Sequence, residues 1–163
     1  MNAEIYNTAE QLVGLLKEKK LLIATAESCT GGLVSSSITA VPGASASFEL
    51  GVASYSCRIK NEVLGVKKET LDTLGAVSYD TARQMAECIR EKAAADIGVS
   101  VTGVAGPDGA EGHMPGLVFI AAAYKGGVTV KELNISPISR EYVREQAAEQ
   151  LLKVAFNTVR EVF

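Results

Sequence analysis

Histidine is nearly absent: His113 is the only one in 163 residues. A metal site built on two histidines is excluded, and a Ser-His-Asp triad would have to use a residue inside a glycine-rich stretch, where His113 reads better as a solvent-facing loop residue. Cysteine is scarce, and Cys29, Cys57 and Cys88 show no paired or CxxC spacing. That argues against structural zinc and for a reducing, cytoplasmic setting. No basic segment followed by an apolar one opens the chain. The longest uncharged stretch, between Glu27 and Glu49, holds six serines, two threonines, three glycines and Pro42, too polar a composition for a membrane helix. Positive charge is not in excess: 16 basic against 19 acidic residues give a net charge of −3, which removes the electrostatic basis for binding nucleic acid. Neither GxxxxGK[ST] nor GxGxxG occurs, disfavouring a nucleoside triphosphate or a Rossmann dinucleotide.

What remains is the composition of one soluble domain with a real core, 47% hydrophobic and 21% charged. Ile5, Ala9, Leu12, Val13 and Leu16 share one face of a first helix. Leu21 to Ala26 reads as a buried strand running into Glu27-Ser28-Cys29-Thr30-Gly31-Gly32 and a second helix. Glu49 to Ser56 is a second strand, and short helices end at Gly65 and Gly75. Ser78 or Asp80 caps a longer helix, and Ile97 to Val101 form a strand before the loop from Thr102 to Gly116. Leu117 to Tyr124 and Val128 to Ile135 flank Lys125-Gly126-Gly127 as a hairpin, with a phase shift between Val130 and Leu133 that predicts a bulge. Ser139 caps a last helix with Val143, Ala147, Leu151, Val154 and Val162 inward. The expected fold is a three-layer α/β/α sandwich with a mixed sheet, a single domain over residues 1–163. Apolar faces left on so small a sheet favour a homo-oligomer, a dimer first.

Several residues admit both a chemical and a structural reading. Glu27 to Gly32 suits a phosphate or carboxylate at a helix N-terminus, or is an ordinary turn capped by Thr30. The five glycines between Thr102 and Gly116 suit a binding loop. With histidine removed, Lys60 becomes a candidate base if burial lowers its pKa beside a serine, and otherwise is a solvated lysine. Cys29 is a thiol at a helix N-terminus or a small buried apolar group. Arg140 and Arg144, one helical turn apart, suit a phosphate clamp or an ordinary helix surface.

Five ordered motifs then stand together: AESCTGG at Ala26 to Gly32, FELGVASYS from Phe48 to Ser56, LGV at Leu64 to Val66, GAVS at Gly75 to Ser78 and TGVAGPDG at Thr102 to Gly109. With them the chain resembles the C-terminal domain of the CinA (competence and damage inducible) proteins, which also occurs as a stand-alone nicotinamide mononucleotide amidohydrolase. The resemblance implies deamidation of nicotinamide mononucleotide to nicotinic acid mononucleotide and ammonia by a serine-lysine pair, with no metal and no cofactor. By position it implies Ser45 as nucleophile and Lys60 as base. Tyr55 is implied beside them in the catalytic set, orienting the pair or the amide together with Thr102, and one arginine of the Arg140/Arg144 pair is implied as a pocket residue. Glu27, Ser28, Thr30, Gly31, Gly32 and Gly103 complete the implied substrate site, with phosphate expected at Gly31 and Gly32. Beyond Gly109 the chain departs from the family's second glycine and Lys-Pro-Val-Gly, reading Ala110-Glu111-Gly112-His113-Met114-Pro115-Gly116. The other readings are an amidase for a related small amide and a non-catalytic nucleotide-binding paralogue.

Overall fold

In a computed structural model that describes residues 2–163, the chain builds five strands: β1 Ile23–Glu27, β2 Phe48–Ala53, β3 Ile97–Gly103, β4 Leu117–Tyr124 and β5 Gly127–Asn134. They form one sheet in the order β2-β1-β3-β4-β5, parallel across β2-β1-β3 and antiparallel across β3-β4-β5. Helices α1 Ala3–Lys19, α2 Leu33–Thr39 and α6 Arg140–Val162 cover one face. The other face carries the short α3 Cys57–Ile59 and its π-helical continuation Lys60–Leu64, then α4 Lys68–Leu74 and α5 Tyr79–Lys92. This is the expected mixed three-layer sandwich.

Strand alternation divides the core. Ile23, Val99, Val101, Val118 and Ile120 point toward α1 and α6, while Ala24, Ala26, Ala121 and Ala123 point the other way. On β3 the residues facing α5 are Gly98, Ser100 and Thr102, because that helix lies almost on the strand. A Cβ added to Gly98 would come within 2.3 Å of the Ala86 carbonyl oxygen, and the Ser100 hydroxyl donates to the Ala82 carbonyl at 2.6 Å. α1 buries the five residues that its period assigns to the core. Ser78 caps α5 and Ser139 caps α6, each accepting the N–H three residues on.

Two expectations are corrected. β5 pairs with β4 in unbroken register, so its apolar phase shift reflects an edge strand exposed at Lys131 and Glu132 rather than a bulge. A register irregularity does occur, but between Ile23 and Ala24 where β1 meets β2. Val162 is exposed, in a last turn of α6 where residues 160–163 all face solvent.

Candidate active site

β1 ends at Glu27, and this carboxylate organises everything after it. Fully buried, it accepts hydrogen bonds from the Thr30 hydroxyl (2.6 Å), the N–H groups of Gly32 and Val34 (3.0 Å each), and the N–H and hydroxyl of Ser35 (2.8 and 2.7 Å). These N–H groups are the ones a helix start leaves unpaired. Gly32 sits at the cap of α2 with φ +102°, a backbone state that a side chain would strain. The helix N-terminus expected to receive a phosphate at Gly31 and Gly32 is thus already filled by an internal anion, and Thr30 serves Glu27 instead of capping the helix itself.

Ser28 follows, held by its N–H on the Val101 carbonyl of β3 (3.0 Å). Beside β1, β2 ends at Ala53, and Ser54 is tied back by its N–H to the Glu27 carbonyl at 2.8 Å. The chain then turns through Tyr55 into α3, and Lys60 comes back under this point. Lys60 is fully buried, with its Nζ 2.8 Å from Ser28 Oγ, 2.6 Å from the Ser54 carbonyl oxygen and 3.5 Å from that of Tyr55. Burial pushes its pKa below the ordinary lysine value, with Cys57, Cys29 and Glu111 acting the other way. No carboxylate forms an ion pair with it among the described residues. A neutral Lys60 would give its two N–H bonds to the Ser54 and Tyr55 carbonyls and turn its lone pair to the Ser28 hydroxyl.

The serine opens onto a cleft of about 230 Å³ whose lining includes Cys29, Tyr55, Val77, Thr102, Gly103 and Arg140. Arg140 donates to the Gly106 carbonyl at 2.7 Å and to the Tyr55 hydroxyl at 2.9 Å, bridging two walls. The Thr102 hydroxyl donates to the Ala76 carbonyl at 2.7 Å and so fixes a third. Gly103 lets β3 and β4 close, since a Cβ there would stand 2.7 Å from the Leu117 carbonyl oxygen. Glu111 closes the rim: from a two-residue turn bridged by Ala110 and His113, its carboxylate accepts the N–H groups of Ala76 and Val77 at 3.0 and 3.1 Å. Sequence reading passed over Glu111, whose partners lie 35 and 34 residues away.

Ser45 does not meet Lys60. It lies in the 3₁₀ turn Ala44–Ala46, exposed, beside a separate depression lined by Thr39 to Ala44 and Phe48. The turn stands at the start of β2 and Lys60 beyond its end, so one strand length separates them. Arg144 likewise faces main-chain oxygens of Cys29 and Thr30, not the cleft.

Cys29 is buried, and burial raises its thiol pKa to about 11. It is therefore a protonated, unreactive group at neutral pH. Iodoacetamide on the folded protein should modify exposed Cys57 first and leave Cys29 unlabelled until denaturant is added; peptide mass spectrometry showing Cys29 labelled as fast as Cys57 would contradict this.

The CinA C-terminal domain model matches residues 5–161. The chain belongs to the CinA C-terminal domain family. Its relatives include a protein of a Thermoanaerobacter species carrying the name competence-damage inducible, 52% identical over 128 residues that make up 78% of this chain and 31% of that protein. This CinA domain thus spans about a third of the length of the curated relatives it matches. Solved structures agree over nearly all of this chain. The competence/damage inducible protein CihA of Agrobacterium tumefaciens superposes with a TM-score of 0.91 at 36% identity, over 96% of this chain and 98% of its own. The competence damage-inducible protein A of Klebsiella pneumoniae gives 0.94 at 29% identity, over 98% and 99%. No helix among the described residues is long and apolar enough to cross a membrane.

Proposed function

We propose that this CinA domain is an amidohydrolase that deamidates nicotinamide mononucleotide, with Ser28 as nucleophile and Lys60 as general base. The observation that carries the reading is the buried Lys60 Nζ at 2.8 Å from Ser28 Oγ, at the floor of an open cleft. Such a pair supports acyl transfer; the family resemblance supplies the nicotinamide carboxamide, and Arg140 supplies the cation for an anionic group on the substrate. Ser28 Oγ adds to the amide carbon while Lys60 takes its proton. The C–N bond then breaks, Lys60 returns the proton to the departing nitrogen and ammonia leaves. Water, deprotonated by the same lysine, cleaves the acyl-serine ester to give the carboxylate product and free Ser28. Main-chain N–H groups of the loop after Ser28 stabilise the oxyanion in both steps.

The test is ammonia release from nicotinamide mononucleotide by the purified chain, with nicotinamide riboside as comparison. The mononucleotide is expected to be the better substrate. Arg140→Ala should raise KM for it by one to two orders of magnitude, since a charge-assisted hydrogen bond contributes about 1.5–3 kcal/mol, and should affect the riboside much less. Equal rates on the two would remove the phosphate from the reading. Binding of the mononucleotide without ammonia release would favour the other reading, a silent nucleotide-binding paralogue.

A further inference from the structure

Arg140 and Arg144 occupy successive turns of α6, yet only the first lines the cleft. Arg144 reaches instead over the turn that carries Ser28. Its Nε donates to the Cys29 carbonyl at 3.1 Å and its Nη2 to the Thr30 carbonyl at 2.8 Å, across 115 and 114 residues of sequence. It is half-buried and forms no ion pair with a carboxylate among the described residues, so its guanidinium is spent on two peptide carbonyls. Gly31 lies directly beneath the guanidinium, where a Cβ would stand 3.8 Å from Nη2.

The hydrogen bonding of this turn is otherwise fully assigned. Ser28 N–H goes to Val101, Gly31 N–H to the Ser28 carbonyl, Gly32 N–H to Glu27 and Leu33 N–H to the Thr30 carbonyl. Two donors are left over, on the residues immediately after Ser28. Neither the Cys29 N–H nor the Thr30 N–H has a hydrogen-bond partner among the described residues. Buried main-chain N–H groups are almost always paired, and two are left over directly after the nucleophile, where Ser28 and Cys29 line the cleft. In a trans peptide the N–H points opposite to the C=O. By holding the Cys29 carbonyl, Arg144 therefore sets the direction of the Thr30 N–H in the same plane, and its charge polarises that peptide so that the N–H becomes a stronger donor.

We propose that Arg144 is a positioning residue for acyl transfer at Ser28, locking the Ser28–Gly31 turn so that the main-chain N–H groups after the nucleophile meet the developing oxyanion. This rests on the reading of Ser28 as nucleophile. It assigns the two arginines separate tasks: Arg140 acts on substrate binding, and Arg144 on the transition state.

Steady-state ammonia release from nicotinamide mononucleotide by the wild type, Arg140→Ala, Arg144→Ala and Arg144→Lys tests it. Arg144→Ala should lower kcat about a hundredfold with KM within threefold of the wild type, the low end of what losing an oxyanion donor costs, because the N–H groups remain. Arg144→Lys, able to hold one carbonyl, should lose about tenfold in kcat, and millimolar ethylguanidine should restore part of the activity of Arg144→Ala but not raise that of the wild type. Should the alanine variant melt below the assay temperature, the lysine variant provides the same kcat-against-KM split. A rise in KM with kcat unchanged in the lysine variant would assign Arg144 to binding and overturn the proposal, as would kcat within twofold of the wild type in both variants. A wild type that releases no ammonia would instead remove the amidase reading itself.

Discussion

Ser28→Ala and Lys60→Met should each lower amide turnover by roughly three or more orders of magnitude, with the double variant little worse than either, because nucleophile and base act as one unit. Ser45→Ala should stay within about twofold of the wild type, since its hydroxyl lies beside a different depression at the opposite end of β2. Only the unprotonated amine accepts the serine proton, so kcat/KM should rise with pH through the lowered Lys60 value and then level off. Stability follows the same titration. Between the lowered folded value and the ordinary lysine value the unfolded chain holds the extra proton, so wild-type stability rises with pH across that window, and the cost of the buried charge is complete below it. The melting-temperature advantage of Lys60→Met over the wild type should therefore shrink as pH rises. Turnover by a folded Ser28→Ala enzyme near the wild-type rate would discard this chemistry, and activity retained by Ser45→Ala but lost in Ser28→Ala would establish which serine is used.

The largest effect on stability is expected at Glu27. Glu27→Ala removes the acceptor of five hydrogen bonds and leaves the N–H groups of Gly32, Val34 and Ser35 without a partner in a part-buried helix start. Charge-assisted hydrogen bonds contribute about 1.5–3 kcal/mol each and are not additive, so a loss of at least about 3–5 kcal/mol is expected. For a chain of this size that corresponds to a melting temperature lower by about 10 °C or more. Glu27→Gln should not rescue it, because both carboxylate oxygens accept, and an amide would set its NH₂ against donors at one of them. Thermal denaturation monitored by circular dichroism decides this. A Glu27→Gln variant melting within 2 °C of the wild type would mean that the carboxylate is not what holds the turn.

The two results bear on each other, because Glu27 fixes the turn on which Ser28 stands. Arg144 holds the same turn from α6, and Thr102 and Glu111 hold the segment at Ala76 from two other directions. The cleft is thus a set of main-chain loops tied by side chains from distant elements. Such a site is positioned to about the precision of the sheet ends that carry it.

Local physics made much of this legible in the sequence. The 3.6-residue period of α1 named its buried face, Ser78 and Ser139 marked two helix starts, and two glycine-rich segments following strands marked the end of the sheet where the cleft lies. A single histidine and unpaired cysteines left lysine among the few groups able to act as a base. Each of these properties depends on residues within a turn or two of one another. Which serine meets Lys60 does not, because it depends on β1 and β2 lying side by side in register, with Glu27 beside Ala53, so that the chain returns beneath Ser28. Nor could the sequence show that Glu27 would fill the helix start at Gly32, or that Arg140 and Arg144, one turn apart, would face a cleft and a loop respectively. Strand order and helix rotation against the sheet are set by the whole core at once, and only the tertiary structure, by burying Lys60 against a serine 32 residues away, decides where the chemistry can occur.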